Sequence, residues 1–141
     1  MKARQLLLML AASCVTTQFT PATSAATAVS SVGKAYDQTT TAIEAGVGEH
    51  FVILVPGNAT SSFTWRAEPQ PKASVLAVAD PAYTPQPPPD CNHRCLGYGG
   101  TYSFGVNANA AGVARVHLVK VHVGRSPGTP VQEVSIAVTV K

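Results

Sequence analysis

"EVSIAVTV" (Glu133–Val140) places Val134, Ile136, Val138 and Val140 at every second position, with Glu133, Ser135, Ala137 and Thr139 between them. Side chains alternate across a β-strand, so this stretch reads as a strand with one buried face. Working back along the chain, the same reading applies to "GVARVHLVKVHV" (112–123) and "TYSFGVNA" (101–108). It extends to "ASVLAVAD" (73–80), "FTWRAE" (63–68) and "HFVILV" (50–55). An early strand is expected in "TTTAIE" (39–44). Turn formers separate the runs: "PGN" at 56–58, "PQPPPD" at 85–90, "GYGG" at 97–100, "NAAG" at 109–112 and "SPGTP" at 126–130. No segment sustains a helical period with caps. Short strands punctuated in this way predict an all-β, immunoglobulin-like Greek-key sandwich of seven to eight strands. Its core is expected to hold Val, Ile and Leu together with Trp65 and Phe104.

The chain has 141 residues, enough for one such domain. Its start is of a different kind. Lys2 and Arg4 precede the apolar run Leu6–Val15, which is too short to span a bilayer, and small residues follow. This order reads as a secretory signal peptide over 1–26, followed by a flexible lead-in over 27–38 and the domain over 39–141. A second reading takes "LAASC" as a lipoprotein signal, with Cys14 lipidated and the protein then held at a membrane. Both readings place the protein outside the cytoplasm, periplasmic or secreted. Without Lys2 and Arg4, eight basic residues face seven acidic ones, so the mature charge is about +1. No basic stripe remains to support nucleic-acid binding.

Cys91 and Cys95, in "CNHRC", read as a disulfide in an oxidising compartment. The closed loop is small, and its entropic contribution is about 2 kcal/mol. Its use is therefore to stiffen a loop. A metal reading recruits His93 but lacks a fourth ligand and the zinc spacings. Around the pair, residues 81–100 carry Pro81, Pro85, Pro87, Pro88 and Pro89, then three glycines. Prolines and a staple restrict such a loop, and long ordered loops in compact domains tend to be functional.

A catalytic set is not legible. The acidic residues are scattered singly. His117 and His122 lie five apart on one expected strand, so they point to opposite faces. "GYGG" precedes a strand, not a helix, and lacks the context of a phosphate loop. No cofactor or metal is expected. The chemistry points to recognition by loops at one end of the sandwich. In a seven-strand Greek key, the loops after the second, fourth and sixth strands share an end. They correspond here to "GNATSSF", the stretch ending in "CLGYGG", and "GRSPGTP".

These stretches resemble the chagasin-type inhibitors of papain-like cysteine proteases. The family's first loop carries Asn-Pro-Thr-Thr-Gly, then Tyr or Phe, any residue, and Trp. Here Asn58, Ala59, Thr60, Ser61, Ser62, Phe63, Thr64 and Trp65 stand in that order, with Ala59 replacing Pro and Ser62 replacing Gly. The second loop runs from Pro-Pro-Asp to Gly-x-Gly-Gly. Here Pro88, Pro89 and Asp90 lead through the Cys pair and Leu96 to Gly97, Tyr98, Gly99 and Gly100. The third carries Arg-Pro-Trp, where this chain has Arg125, Ser126 and Pro127 and lacks the Trp. The resemblance spans residue 38 to the C-terminus. It implies a monomeric, non-enzymatic inhibitor whose first loop enters a protease cleft. Phe63 and Trp65 then anchor the loop's base, and the second and third loops flank the cleft. Asn58 also reads as a turn residue, and Arg125 as a solvated hairpin charge. The missing Trp and the altered Pro and Gly keep a non-inhibitory, envelope- or surface-binding sandwich open as the alternative function.

Overall fold

The computed structural model describes residues 33–91, 95–124 and 129–141. Among them run nine strands: β1 (Lys34–Asp37), β2 (Ala42–Ala45), β3 (His50–Gly57), β4 (Phe63–Ala67), β5 (Leu76–Val78), β6 (Ala82–Pro85), β7 (Gly100–Ala108), β8 (Gly112–His122) and β9 (Gln132–Val140). One sheet has the order β1-β3-β7-β5, with β6 also paired to β7. The other has the order β2-β9-β8-β4. β1 runs parallel to β3 and β2 parallel to β9, and the remaining pairs are antiparallel. The fold is the all-β, immunoglobulin-like sandwich expected from the alternating runs.

The alternation translates directly into burial. Phe51, Ile53 and Val55 of β3, Tyr102, Phe104 and Val106 of β7, Val116 and Leu118 of β8, and Val134, Ile136, Val138 and Val140 of β9 form the shared core. Trp65 of β4 joins them at 1% exposure, and its Nε1–H donates to the Pro56 carbonyl at 3.0 Å. Apolar burial on this scale supports a sandwich without a cofactor, each large side chain contributing about 1.5–3 kcal/mol. No buried side-chain polar atom among the described residues lacks a partner.

The strand count exceeds the expected seven to eight because two short strands lie where the composition read as loop. Lys34–Asp37, within the expected lead-in of 27–38, is β1 and pairs with Phe51–Leu54. Ala82–Pro85, inside the expected loop of 81–100, is β6 and pairs with Gly100–Ser103. Both are too short to show a period, and both are edge strands that obtain their partner from a distant segment. "ASVLAVAD" contracts to Leu76–Val78, and the early strand in "TTTAIE" settles at Ala42–Ala45. Between β1 and β2 the chain passes from one sheet to the other through a turn held by Asp37. Its carboxylate accepts from Thr39 N at 2.9 Å and Thr39 Oγ1 at 2.6 Å. The expected signal segment 1–26, with Cys14 in it, lies outside the described residues.

Candidate functional site

Strand register gathers the loops. Gly57, the last residue of β3, sits opposite Gly100, the first of β7. Pro85, the last of β6, sits opposite the same Gly100 from the other side. The loop between β3 and β4 and the loop between β6 and β7 therefore leave from one pole. Phe63 opposite His122 brings the end of β8 to that pole as well. There, Val123 N donates to the Ser62 carbonyl at 2.7 Å.

The pole rests on aromatic rings. A Cβ on Gly57 would lie 2.7 Å from the Tyr102 ring atom Cδ2. One on Gly100 would lie 2.6 Å from Tyr83. At Gly57 the Tyr102 ring occupies the space a side chain would need, and at Gly100 the Thr84 carbonyl oxygen and then the Tyr83 ring do, so glycine is required here for close approach. Tyr83 and Tyr102 pack with centroids 4.9 Å apart. Phe63, half-buried, meets the His122 ring edge-on at 5.2 Å, with Lys120 Nζ 5.9 Å from its centroid.

The first loop is organised by one side chain. Asn58 Oδ1 accepts from Thr60 N at 2.9 Å and from Thr60 Oγ1 at 2.7 Å. Ser61 donates twice to the Asn58 carbonyl, through N at 3.1 Å and Oγ at 2.6 Å. Asn58 Nδ2 reaches across and donates to the Gly97 carbonyl of the second loop at 2.8 Å. An Asx turn of this kind satisfies loop backbone locally. Ala59, Thr60 and Ser62 stand exposed at the tip.

In the second loop, Cys91 and Cys95 form the expected disulfide, with Cα atoms 5.6 Å apart. Gln86 N donates to the Gly99 carbonyl and Cys91 N to the Pro88 carbonyl, both at 3.0 Å. Gly97 adopts φ +76°, a left-handed conformation that favours glycine. Leu96, beside the staple, is 96% exposed. Between the loops lies a cleft of about 140 Å³ whose lining includes Thr60, Tyr83, Leu96, Gly97 and Tyr98. Neither 57–63 nor 95–100 contains a charged residue. Such a surface costs little to desolvate.

The structure thus brings together the Asn58–Phe63 stretch and Leu96–Gly100. Arg125, Ser126 and Pro127, and His93 between the cysteines, lie outside the described residues. His117 and His122 do face opposite ways. His117 lies within hydrogen-bond reach of the Glu68 carbonyl and Glu133, whereas His122 packs on Phe63. Among the described residues, no three His, Cys, Asp or Glu side chains converge as metal ligands. Sequence reasoning missed Tyr83, Tyr102 and the Gly57–Gly100 pair. Their relation is one of register across strands, which leaves no local signal in the sequence.

The sandwich thus presents at one pole two braced stretches, 57–63 and 95–100, that carry no charge. The sequence family described as "Chagasin family peptidase inhibitor I42" matches residues 44–140. The chain belongs to this family, and its members are inhibitors of peptidases, not enzymes. A search of curated proteins gave no significant match. Among solved structures, the cysteine protease inhibitor EhICP2 from Entamoeba histolytica is similar at TM-score 0.63 and 10% identity, covering 77% of this chain and 95% of that one. Amebosin is similar at TM-score 0.60 and 19% identity, with 77% and 98% covered. PbICP-C, solved in complex with falcipain-2, is similar at TM-score 0.58 and 17% identity, with 77% and 100% covered. These likenesses show a shared fold.

Proposed function

We propose that this chain is an exported inhibitor of papain-like cysteine proteases that plugs the active-site cleft with loops from one pole of its sandwich. Membership of the peptidase-inhibitor family supports the inhibitory role. The fold shared with a cysteine protease inhibitor and with a falcipain-2-bound protein supports the target class. The observation that carries the site is the 2.8 Å bond from Asn58 Nδ2 to the Gly97 carbonyl, which makes two separate loops one surface.

Thr60, at the exposed tip, enters the cleft near the protease's catalytic Cys–His pair. Its peptide is held in an Asn58-centred turn, away from a cleavable extended geometry. Leu96–Gly100 lie along one wall, and Arg125, Ser126 and Pro127 approach the other. The footprint is about 800 Å² on each partner, the usual scale for protease–inhibitor pairs. Loops fixed before binding lose little entropy when they bind. Residues 1–26 direct export, and the Cys91–Cys95 disulfide is compatible with an oxidising compartment. The mass of the mature N-terminus distinguishes a soluble chain from one lipidated at Cys14.

Titration of papain with the purified mature chain tests the reading. Thr60→Glu, which puts a bulky charge at the tip, is expected to weaken inhibition by more than about 100-fold through an unpaired buried charge. The melting temperature should not change. Inhibition that survives this substitution removes Thr60 from the wedge.

A further inference from the structure

We infer that Tyr83 is a positioning residue for inhibition: its ring fixes where the second loop stands relative to the first. The inference rests on the inhibitory reading above. Gly100 is the point from which both loops diverge, because it pairs with Gly57 on one side and Pro85 on the other. The space beside Gly100 that a side chain would take is closed by the Thr84 carbonyl oxygen and by the far end of the Tyr83 ring, 2.6 Å from where a Cβ would be. On its other side the Tyr83 ring packs against Tyr102, 4.9 Å away with the ring planes at 52°. Tyr102 in turn fills the space at Gly57. The rings therefore link the bases of the two loops in series. Tyr83 also lines the interloop cleft beside Thr60, Leu96 and Tyr98. A rigid ring in that position converts the spacing of the loops from a loop property into a core property, and preorganisation of this kind favours slow dissociation.

The molecule contains a natural control. Tyr36, on β1, is likewise half-buried on a short edge strand and packs on the core, meeting Phe51 edge-on at 5.6 Å. It pairs at Ile53, away from the loop bases. Losing either ring removes similar packing, but only Tyr83 sits at Gly100.

The test measures dissociation from papain and thermal unfolding for Tyr83→Ala, Tyr83→Phe and Tyr36→Ala in the full mature chain. Tyr83→Ala is expected to speed dissociation about tenfold, with association changed much less. Tyr83→Phe, which keeps the ring, should dissociate as the parent does. Tyr36→Ala should lower the melting temperature comparably and leave dissociation unchanged. Equal dissociation rates for the two alanine variants would overturn the positioning role while leaving inhibition intact. Where Tyr83→Ala does not fold, Tyr83→Leu retains apolar bulk without a ring: faster dissociation supports the role, and parental dissociation overturns it. A parent chain that leaves papain fully active sinks the inhibitory reading itself, and the positioning role with it.

Discussion

The loop between β3 and β4 is short and is held by side-chain hydrogen bonds, most of them centred on Asn58. The loop between β6 and β7 is long and is held by a disulfide, a run of prolines and its own flanking strand pairs. The difference follows from closure. A short turn leaves its backbone groups within reach of a neighbouring side chain, so one Asx residue organises it. The entropic cost of closing a loop grows with its length, so a long loop gains more from covalent and steric restriction. The two devices also distribute risk differently. The first loop depends on one residue, which also bridges to the second. The second loop has several partly redundant restraints.

That contrast breaks most visibly at Asn58. Asn58→Ala removes three side-chain bonds at once, each contributing about 0.5–1.5 kcal/mol, and inhibition of papain should weaken by about 10–100-fold. Asn58→Asp keeps the acceptor for Thr60 and loses the donor to Gly97. An inhibition constant between those of the parent and Asn58→Ala would separate bracing within the loop from bridging between loops. Equal inhibition by all three would show that the bridge plays no part.

Removing the staple should matter less. The double substitution Cys91→Ser with Cys95→Ser is expected to weaken inhibition only several-fold, and to lower stability by no more than about 2 kcal/mol. Inhibition constants and denaturant titrations of the same variant measure both. A stability loss well above about 2 kcal/mol would make the disulfide a structural element of the sandwich instead of a loop stiffener.

The smallest effect separates the neutral loops from the charged turns elsewhere. Hydrogen bonds from the Thr39 side chain and backbone hold the Asp37 carboxyl below its ordinary 3.8. The Gly46 amide, then Lys34, holds that of Glu49 below 4.5. Each folded-state value is depressed, so each carboxylate stabilises the fold above its unfolded value and loses that contribution as pH falls through the folded one. The melting temperature should decline modestly below about pH 4.5, and Glu49→Gln should flatten part of that decline. Affinity for papain should not change with Glu49→Gln, because Glu49 lies in the β2–β3 turn, away from both loops. A shift in affinity would link that turn to the loop pole.

Much of the fold was legible in advance. Period-2 runs such as Val134–Val140 and Phe51–Val55 face inward as their alternation requires, and Trp65 is a core anchor. The order of the turns gave the shared pole of the first two loops. The disulfide followed from spacing and compartment. β1 and β6 were not legible: four residues cannot display a period, and their strand character comes from pairing with β3 and β7. The bond from Asn58 to Gly97 escaped because its partners lie 39 positions apart. The sequence reads Asn58 as a turn residue, a role it also fills through its bonds from Thr60. Tyr83 escaped for a related reason, since its place is set by an absent side chain at Gly100 on the neighbouring strand and by the Tyr102 ring.

The sequence by itself determined the class of structure, the inward faces and the chemical character of the loops, because these depend on side-chain period, on local turn chemistry and on which residues are charged. Only the tertiary structure decided how the loops stand relative to one another. That relation is set by strand register at Gly57, Gly100 and Pro85, and by rings that fill the space those glycines leave open. Contacts between residues distant along the chain carry no local signature, because their geometry exists only once the two sheets have closed on a common core.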